Sequence, residues 1–400
     1  MATTTRAAQP QVNLQGAMVP QSAINPQLFM ALTRRLSFQN KSITFGGLGA
    51  ATDFVEIPKV GILSAVTLQF DGTLTVTLNG GTVATTGLWP YDFVSRFRFA
   101  ANGLTNLINA SGWHIKAREI MQRGDLNDRA ITRGVGGASP GTQISSGSLS
   151  LANEQWGVGQ GVTAIAGGTY AVQLSYKLPI AHDDVYLTGA VLAQTSATDL
   201  TINIDYAPLA NLFITTGSPT ITLTGAWSVQ PTAYSIPSGP DGGVVLPDLS
   251  HLHSLVQSQT SSIQNAENEI RLAGQGVGRQ TMRMWFRTIN GATRMPLAMN
   301  ATNYGNVAWR YGSNDTPEVY PSGRSLAVAN ERMFGNDMGG LEGFGIFDFV
   351  NENAFRDTVD QGAATELRLV ATIQSGVTLS NPQFEYVQEL LVPGAVSAAA

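Results

Sequence analysis

The chain has 400 residues, a formal net charge of −5 at pH 7 and no cysteine. This length favours two cores, and the lack of cysteine excludes disulfides, thiolate metal sites and cysteine nucleophiles. No run of Lys and Arg occurs, whereas proteins that bind nucleic acid usually carry a basic face, so we expect no direct contact with nucleic acid.

The N-terminal 24 residues are polar and irregular, without the apolar core of a signal peptide. No apolar run in the chain approaches the roughly 20 residues that span a bilayer. We therefore expect a chain that neither carries its own export signal nor crosses a membrane.

A short amphipathic helix is predicted next, because Asn25 can cap it and Pro26 is tolerated at its first position. Its apolar stripe and basic end comprise Leu28, Phe29, Leu32, Arg34, Arg35 and Leu36. We expect about three turns over residues 26–36, within an N-terminal arm of residues 1–40. Such a stripe can pack on its own domain, on a neighbouring subunit or on a membrane surface.

Apolar and polar residues then alternate from Phe45 to Leu223, which predicts strands with one buried face. Residues 62–78 fit either a tight hairpin at Asp71-Gly72 or one long strand with a bulge there, and we favour the long strand. The Gly- and Ser-rich residues 134–168 predict a long loop.

Two further short helices are predicted, each between two strands. Asp183 or Asp184 can cap the first, over residues 184–194, and Phe355 and Val359 indicate the second, over residues 352–360. A cluster of Pro and Gly at residues 231–243 separates the two strand–helix–strand units and is the best candidate for a domain boundary. The pattern therefore predicts two similar β-sandwiches in tandem.

Candidate sites for chemistry are few. His251 and His253 alternate along one strand and could bind a metal with Asp248, but hydrogen-bonded or surface histidines are the simpler interpretation. The sequence His182-Asp183-Asp184 indicates helix capping more than a cation site. The glycines of residues 274–278 lack the spacing of a phosphate-binding loop, and no nucleophile elbow is present.

Acidic and aromatic residues give no clearer signal. Glu56, Glu331 and Asp348 have no fixed spacing that indicates a carboxylate pair. The tryptophans within strand-like patterns suit core or interface packing more than sugar binding; they are Trp113, Trp227 and Trp285. We therefore predict no enzyme, and no catalytic, cofactor-binding or metal site.

Several ordered landmarks between about residues 54 and 256 resemble the tectivirus-type double jelly-roll major capsid proteins of membrane-containing bacteriophages. The residues that carry the resemblance are Asp92, Phe93, Gly112, Trp113, His114, Leu187, Thr188, Gly189, Ala190, Val191, Leu246 and Pro247. Their order and spacing matter more than any one motif. Beyond residue 256 the similarity is one of pattern only.

The resemblance implies an all-β chain of two tandem eight-stranded jelly rolls, residues 41–236 and 237–393, with a C-terminal tail of residues 394–400. It implies a structural protein of the virion, assembled in the host cytoplasm as homotrimers of pseudo-hexagonal outline that tile an icosahedral shell over an internal membrane. The implied partners are neighbouring capsomers, minor capsid and vertex proteins, and the viral membrane near the N-terminal arm. A phage spike or adhesin, or a carbohydrate-active β-sandwich protein, remains the alternative.

Overall fold

The structure is a computed structural model. It describes residues 10–12, 18–20, 24–38, 41–49, 51–101, 104–123, 132–135, 164–194, 199–239, 243–272, 278–311, 315–334, 343–350, 355, 358–360 and 366–394. We refer to the described residues up to 239 as the first half and to those from 243 as the second half.

Strands dominate both halves. Those of the first half are β1 (Pro10–Val12), β2 (Met18–Pro20), β3 (Arg35–Leu36), β4 (Lys41–Thr44), β5 (Thr52–Glu56), β6 (Ile62–Thr77), β7 (Thr82–Thr85), β8 (Val94–Ala101), β9 (Leu104–Ala110), β10 (Thr132–Val135), β11 (Ala164–Ile165), β12 (Gly168–Pro179), β13 (Val191–Leu192), β14 (Leu200–Tyr206), β15 (Phe213–Thr216) and β16 (Thr220–Tyr234). Those of the second half are β17 (His251–Thr260), β18 (Glu267–Arg271), β19 (Gln280–Asn290), β20 (Met295–Pro296), β21 (Tyr304–Tyr311), β22 (Asp315–Tyr320), β23 (Gly345–Asp348), β24 (Val359–Asp360), β25 (Leu367–Ile373) and β26 (Gln383–Pro393). The helices are α1 (Pro26–Leu32), α2 (Gly112–Arg123), α3 (Leu209–Leu212) and α4 (Gly323–Phe334), with a 3-10 turn at Tyr91–Phe93.

Two large sheets build the first half, and one of them continues into the second. A seven-stranded sheet has the central order β10-β12-β6-β16-β3, and a ten-stranded sheet runs β20-β19-β26-β17-β9-β8-β14-β5. The halves meet inside the ten-stranded sheet where β17 pairs in parallel with β9, with Leu255 opposite Ile108. A four-stranded sheet, β18-β25-β21-β22, covers the second half. This all-β architecture is the predicted double jelly roll.

The cores follow from the alternation in the strands. In the first half, inward side chains of β6, β8 and β16 meet between the sheets, where Phe93 stacks on Trp227 with ring centroids 5.7 Å apart. In the second half, Phe286 of β19 stacks on Phe384 of β26 at 5.2 Å. A third apolar cluster surrounds Phe29 of α1.

The prediction for residues 62–78 is confirmed, because β6 is one strand of 16 residues. The expected bulge at Asp71-Gly72 is wrong: the register of β6 with β12 and with β16 is uninterrupted there. Of the loop predicted over 134–168, the described ends belong to strands β10, β11 and β12. The remainder lies outside the described residues.

The N-terminal helix is confirmed but shorter than predicted. Asn25 caps it, since its Oδ1 accepts a hydrogen bond from the amide of Leu28 at 3.0 Å. It ends at Leu32 because Thr33 and Arg34 turn to Ser235, where the Thr33 hydroxyl donates to the carbonyl at 2.6 Å. Leu36 and Arg35 therefore lie in β3 and not in the helix.

The expected helix over residues 184–194 is wrong. After Asp183, whose Oδ1 accepts the amides of Val185 and Tyr186, the chain makes turns in which Leu187 has φ +56°, and it then enters β13. Of the helix expected over residues 352–360, the structure describes Phe355, which has a 3-10 conformation, and residues 358–360; the rest lies outside the described residues. Val359 begins the short strand β24. Each half does contain one longer helix directly after a strand, but these are α2 after β9 and α4 after β22.

No helix in the described part of the chain combines the length and the apolar character needed to cross a membrane.

Candidate functional site

The face of β19 and β26 that points to the first half carries charged residues at every fourth position. The register pairs Arg283 with Glu389 and Arg287 with Glu385, on either side of the pair of Trp285 and Val387. The opposite faces of these strands hold Met284, Phe286 and Phe384 in the second core. We call the six residues 283, 285, 287, 385, 387 and 389 the junction face.

Helix α2 of the first half lies against this face. Gly112 begins the helix, and a Cβ there would come within 2.1 Å of the carbonyl oxygen of Tyr91, so only glycine permits this approach. His114 and Arg118, one helical turn apart, are both buried. They bring an imidazole and a guanidinium to the two glutamates of β26.

Asp92 connects the 3-10 turn, the start of α2 and the junction face. Its Oδ1 accepts the amide of Trp113 at 2.9 Å, and its Oδ2 accepts Nη2 of Arg287 at 2.6 Å. Arg287 also donates through Nε to Glu385 at 2.8 Å. Burial alone would raise the pKa of Glu385, but the charge of Arg287 and the hydrogen bond from His114 outweigh it and lower this pKa to about 2.

His114 is held as a neutral imidazole. Its Nδ1 accepts a hydrogen bond from the indole Nε1 of Trp285 at 3.0 Å, and an indole nitrogen can only donate. The proton of the ring therefore lies on Nε2, which donates to Glu385 at 3.3 Å. Burial, the largest effect, lowers the pKa of His114.

Glu389 is the centre of a second contact across the halves. Its Oε1 accepts Nε of Arg118 at 2.8 Å, and its Oε2 accepts Nη1 of Arg283 at 2.9 Å. Arg283 also donates to Asp348 at 2.7 Å. Burial would raise the pKa of Glu389, but the two guanidinium groups hold it well below its usual range, so Glu389 is ionised at neutral pH.

Two histidines complete the Glu389 contact. Nε2 of His253 lies 2.8 Å and Nδ1 of His182 lies 3.1 Å from Oε1 of Glu389. Nδ1 of His253 lies 2.8 Å from the carbonyl oxygen of Pro179. Burial lowers the pKa of His253 to about 4, so at neutral pH its single proton can serve only one of these two acceptors.

The ligand atoms of His182, His253 and Glu389 lie within 4.8 Å of one another, which is a spacing that a metal ion could bridge. The contacts of these three residues make a bound metal ion unfavourable. Both oxygens of Glu389 already accept hydrogen bonds from Arg118 and Arg283, so a divalent cation would lie against two guanidinium groups in a buried site. We interpret the cluster as an ion and hydrogen-bond network.

The loop of residues 182–190 positions both histidines. The amide of His182 donates to the carbonyl of Thr188 at 2.8 Å, and the amide of His253 donates to that of Gly189 at 3.1 Å. Gly189 has φ +78°, and a Cβ there would come within 2.5 Å of the amide nitrogen of His253. Leu187 keeps its own positive φ because its side chain is fully buried beside Phe29.

The same apolar cluster anchors α1. Phe29 is completely buried among residues of both halves; they are Ile62, Ala181, Leu187, Ala190, Leu192, Val245 and Leu246. The amide of Asn25 donates to the carbonyl of Leu246 at 3.1 Å, which fixes the start of the helix. From Ile24 onward, α1 is therefore part of the folded body.

A sequence comparison now identifies the chain. The profile of the family described as P3 major capsid protein N-terminal matches residues 21–229, more than half of the 400 residues. The chain belongs to this family. It is a viral major capsid protein and a component of the virion, and its family is one of structural proteins, not of enzymes. A comparison with curated proteins gives no match.

Solved structures share the fold of this capsid protein. The major capsid protein of Sulfolobus turreted icosahedral virus aligns with a TM-score of 0.60 at 14% identity, over 92% of this chain and 99% of its own. The PBCV-1 virus capsid gives 0.52 at 12% identity, over 92% and 97%. The Faustovirus major capsid protein gives 0.51 at 9% identity, over 91% of each chain. At these identities the likeness establishes the double jelly-roll fold alone.

The family landmarks of the capsid protein converge on the junction. Asp92, Gly112, Trp113 and His114 form or support the contact with β19 and β26, while Thr188 and Gly189 hold the histidines near Glu389. The remaining landmarks pack in the cores or around α1; they are Phe93, Leu187, Ala190, Val191, Leu246 and Pro247. Of the predicted arm residues, Phe29 is buried and Leu28 and Leu36 are half-buried, whereas Leu32, Arg34 and Arg35 are exposed.

The partners of His114 and Arg118 in the second half were not predicted from the sequence. Arg283 and Arg287 occur four residues apart in one apolar strand, as do Glu385 and Glu389 in another. This spacing places each pair on one strand face, and two such pairs of opposite charge could have been matched.

His251 and His253 are hydrogen-bonded to different partners, as the simpler interpretation expected, and they do not form a shared metal site. Nδ1 of His251 lies 2.8 Å from the hydroxyl of Ser250, and Asp248 accepts the amide of Ser250. His253 contacts Glu389 instead. Trp113, Trp227 and Trp285 are buried, as expected for core packing rather than sugar binding. Residues 273–277, most of the glycine-rich segment, lie outside the described residues.

Proposed function

We propose that three copies of this capsid protein form a trimer with a pseudo-hexagonal outline, and that such trimers tile an icosahedral shell over an internal membrane. The observation that supports this most is the pairing of β9 with β17, which joins two sandwich-like halves edge to edge in one continuous sheet. Three such units around a threefold axis supply six similar corners. We keep residues 41–236 and 237–393 as the two jelly rolls.

The proposed N-terminal arm is narrower than residues 1–40. Residues from Ile24 onward pack on the body through Phe29 and pair with β16 through β3, so they provide a fixed base. Residues 1–23 then serve as the arm that contacts neighbouring capsomers, minor capsid and vertex proteins, and the membrane. Leu32, Arg34 and Arg35 lie exposed beside this base and can contribute to the same surface. We propose no direct contact with nucleic acid.

Light scattering and electron microscopy test the trimer. The purified chain should have about three times the 42.4 kDa mass of one copy, and particles should show threefold symmetry with a hexagonal footprint. A monomer, or particles without a threefold axis, would contradict the proposal.

A pair of deletions tests the arm. Deletion of residues 1–23 should leave soluble trimers but prevent shell formation, because the body from Ile24 keeps its contacts. Deletion of residues 395–400, which follow the last described strand, is the control and should still give shells. Intact shells from the first deletion would show that the arm is dispensable.

A further inference from the structure

His114 lies at the contact between the two halves, so a change in its protonation would affect both halves at once. The residue is completely buried in α2 of the first half, and both of its ring nitrogens bond to the second half. Its Nε2 donates to Glu385 of β26, and its Nδ1 accepts from Trp285 of β19. No other arrangement of one ring proton satisfies both partners, because a carboxylate only accepts and an indole only donates.

We propose that the contact between the two halves is acid-sensitive, because a second proton on His114 breaks its bond to Trp285. That proton must occupy Nδ1, which then turns an N–H toward the N–H of Trp285 at 3.0 Å. The N–H groups of His114 and Trp285 would then face each other, and they separate only if α2 moves away from β19.

The charged surroundings do not remove the penalty. Glu385 on β26 and Asp92 on the 3-10 turn favour the charged ring, whereas Arg287 on β19 opposes it. Both carboxylates already accept hydrogen bonds from Arg287, and the ring of Phe344 closes the site at 5.6 Å from the imidazole. The charged ring would therefore lie in a buried site whose two carboxylates are already paired, and burial, the largest effect, lowers the pKa of His114.

The sign of the pH effect follows from linkage. An unfolded histidine takes up its proton near pH 6.5, while His114 in the folded chain resists protonation to lower pH. Below about pH 6.5 the unfolded chain thus binds more protons than the folded one. Stability contributed by neutral His114 is present above that pH and is lost as the pH falls toward the folded pKa.

The thermal unfolding midpoint of the full-length protein, measured at equal concentration at pH 7.5 and 5.5, tests the proposal. His114→Gln keeps one donor and one acceptor but cannot titrate, so its acid-induced loss should be smaller than that of the wild type by about 2 °C. His251→Gln, two residues from His253 and hydrogen-bonded to its neighbour Ser250, is the matched control and should keep the wild-type loss. An equal loss in His114→Gln and wild type would overturn the proposal.

A second variant covers the case in which His114→Gln does not fold. Trp285→Phe keeps an aromatic ring on the junction face but removes the N–H that opposes the new proton. The proposal requires a smaller loss of midpoint on acidification in this variant than in the wild type. A loss as large as that of the wild type, or larger, would overturn it.

Discussion

Replacement of Glu389 by glutamine should destabilise the subunit by about 3 kcal/mol. Breaking a buried ion pair by removing one partner costs about 3–5 kcal/mol, because the other charge remains buried without compensation. Two arginines depend on this carboxylate, but their losses differ. Arg283 keeps Asp348 at 2.7 Å, whereas Arg118 is left with the neutral oxygens of Gln122 and of the His182 carbonyl. The effect therefore falls at the lower end of the range.

Urea unfolding followed by tryptophan fluorescence measures this loss at a fixed protein concentration. Because the pKa of Glu389 lies well below its usual range, its stabilisation is present above the ordinary carboxyl pKa of about 4.3 and is lost only as the pH falls through the folded value. The difference between variant and wild type should thus be the same at about pH 6 and pH 8.

Glu366→Gln provides a control with similar chemistry on the surface. Glu366 also contacts two arginines, Arg271 at 3.0 Å and Arg368 at 2.7 Å, but these groups remain accessible to water. Exposed pairs contribute little, so this variant should unfold close to the wild type. If Glu389→Gln unfolds at the same urea concentration as Glu366→Gln, the junction contact does not carry the stability assigned to it.

Two further pairs of substitutions, each with its control, test the surroundings of the junction. Phe29→Ala should lower the free energy of unfolding by about 3–5 kcal/mol, because it leaves a cavity where α1 packs. Limited proteolysis should then cut near α1. Leu32→Ala, on the exposed side of the same helix, should leave the stability and the cleavage pattern unchanged. Gly80→Ala should cost about 1 kcal/mol, since alanine resists the positive φ there but meets no neighbour. Gly189 has the same φ of +78°, but a Cβ there would clash with His253. The melting temperature of Gly189→Ala should therefore fall clearly below that of Gly80→Ala. Equal melting temperatures would exclude the close contact.

Strand alternation made much of the fold predictable. Val66, Leu68 and Phe70 alternate with polar residues, and they lie in the long strand β6 as expected. Helix α2 escaped prediction because residues 111–118 are buried on every side, so no polar face marks a helical period. Helix α4 offered a better signal, since Ser322 stands at the capping position and its hydroxyl accepts the amide of Ser325 at 3.3 Å.

The buried network was beyond prediction for another reason. A sequence shows where arginine and glutamate occur, but it does not show which of them lose contact with water. Arg287 and Arg310 lie in similar alternating strands, yet the first is 1% exposed at the side chain and the second 23%. Only the pairing of distant segments, such as Asp92 with Arg287, distinguishes them. The resemblance found Asp92 and His114 but could not supply their partners.

Charge at the junction fixes the relative position of the two halves more strictly than an apolar contact would. Apolar faces tolerate small displacements, whereas a shift of α2 and the 3-10 turn across β19 and β26 would separate Arg118 from Glu389 and Asp92 from Arg287 together. Each separation leaves a buried charge unpaired, at a cost of several kcal/mol. We infer that the network fixes the relative orientation of the two halves. A capsid subunit built from two sandwich domains can contact its neighbours regularly only if both domains keep one orientation.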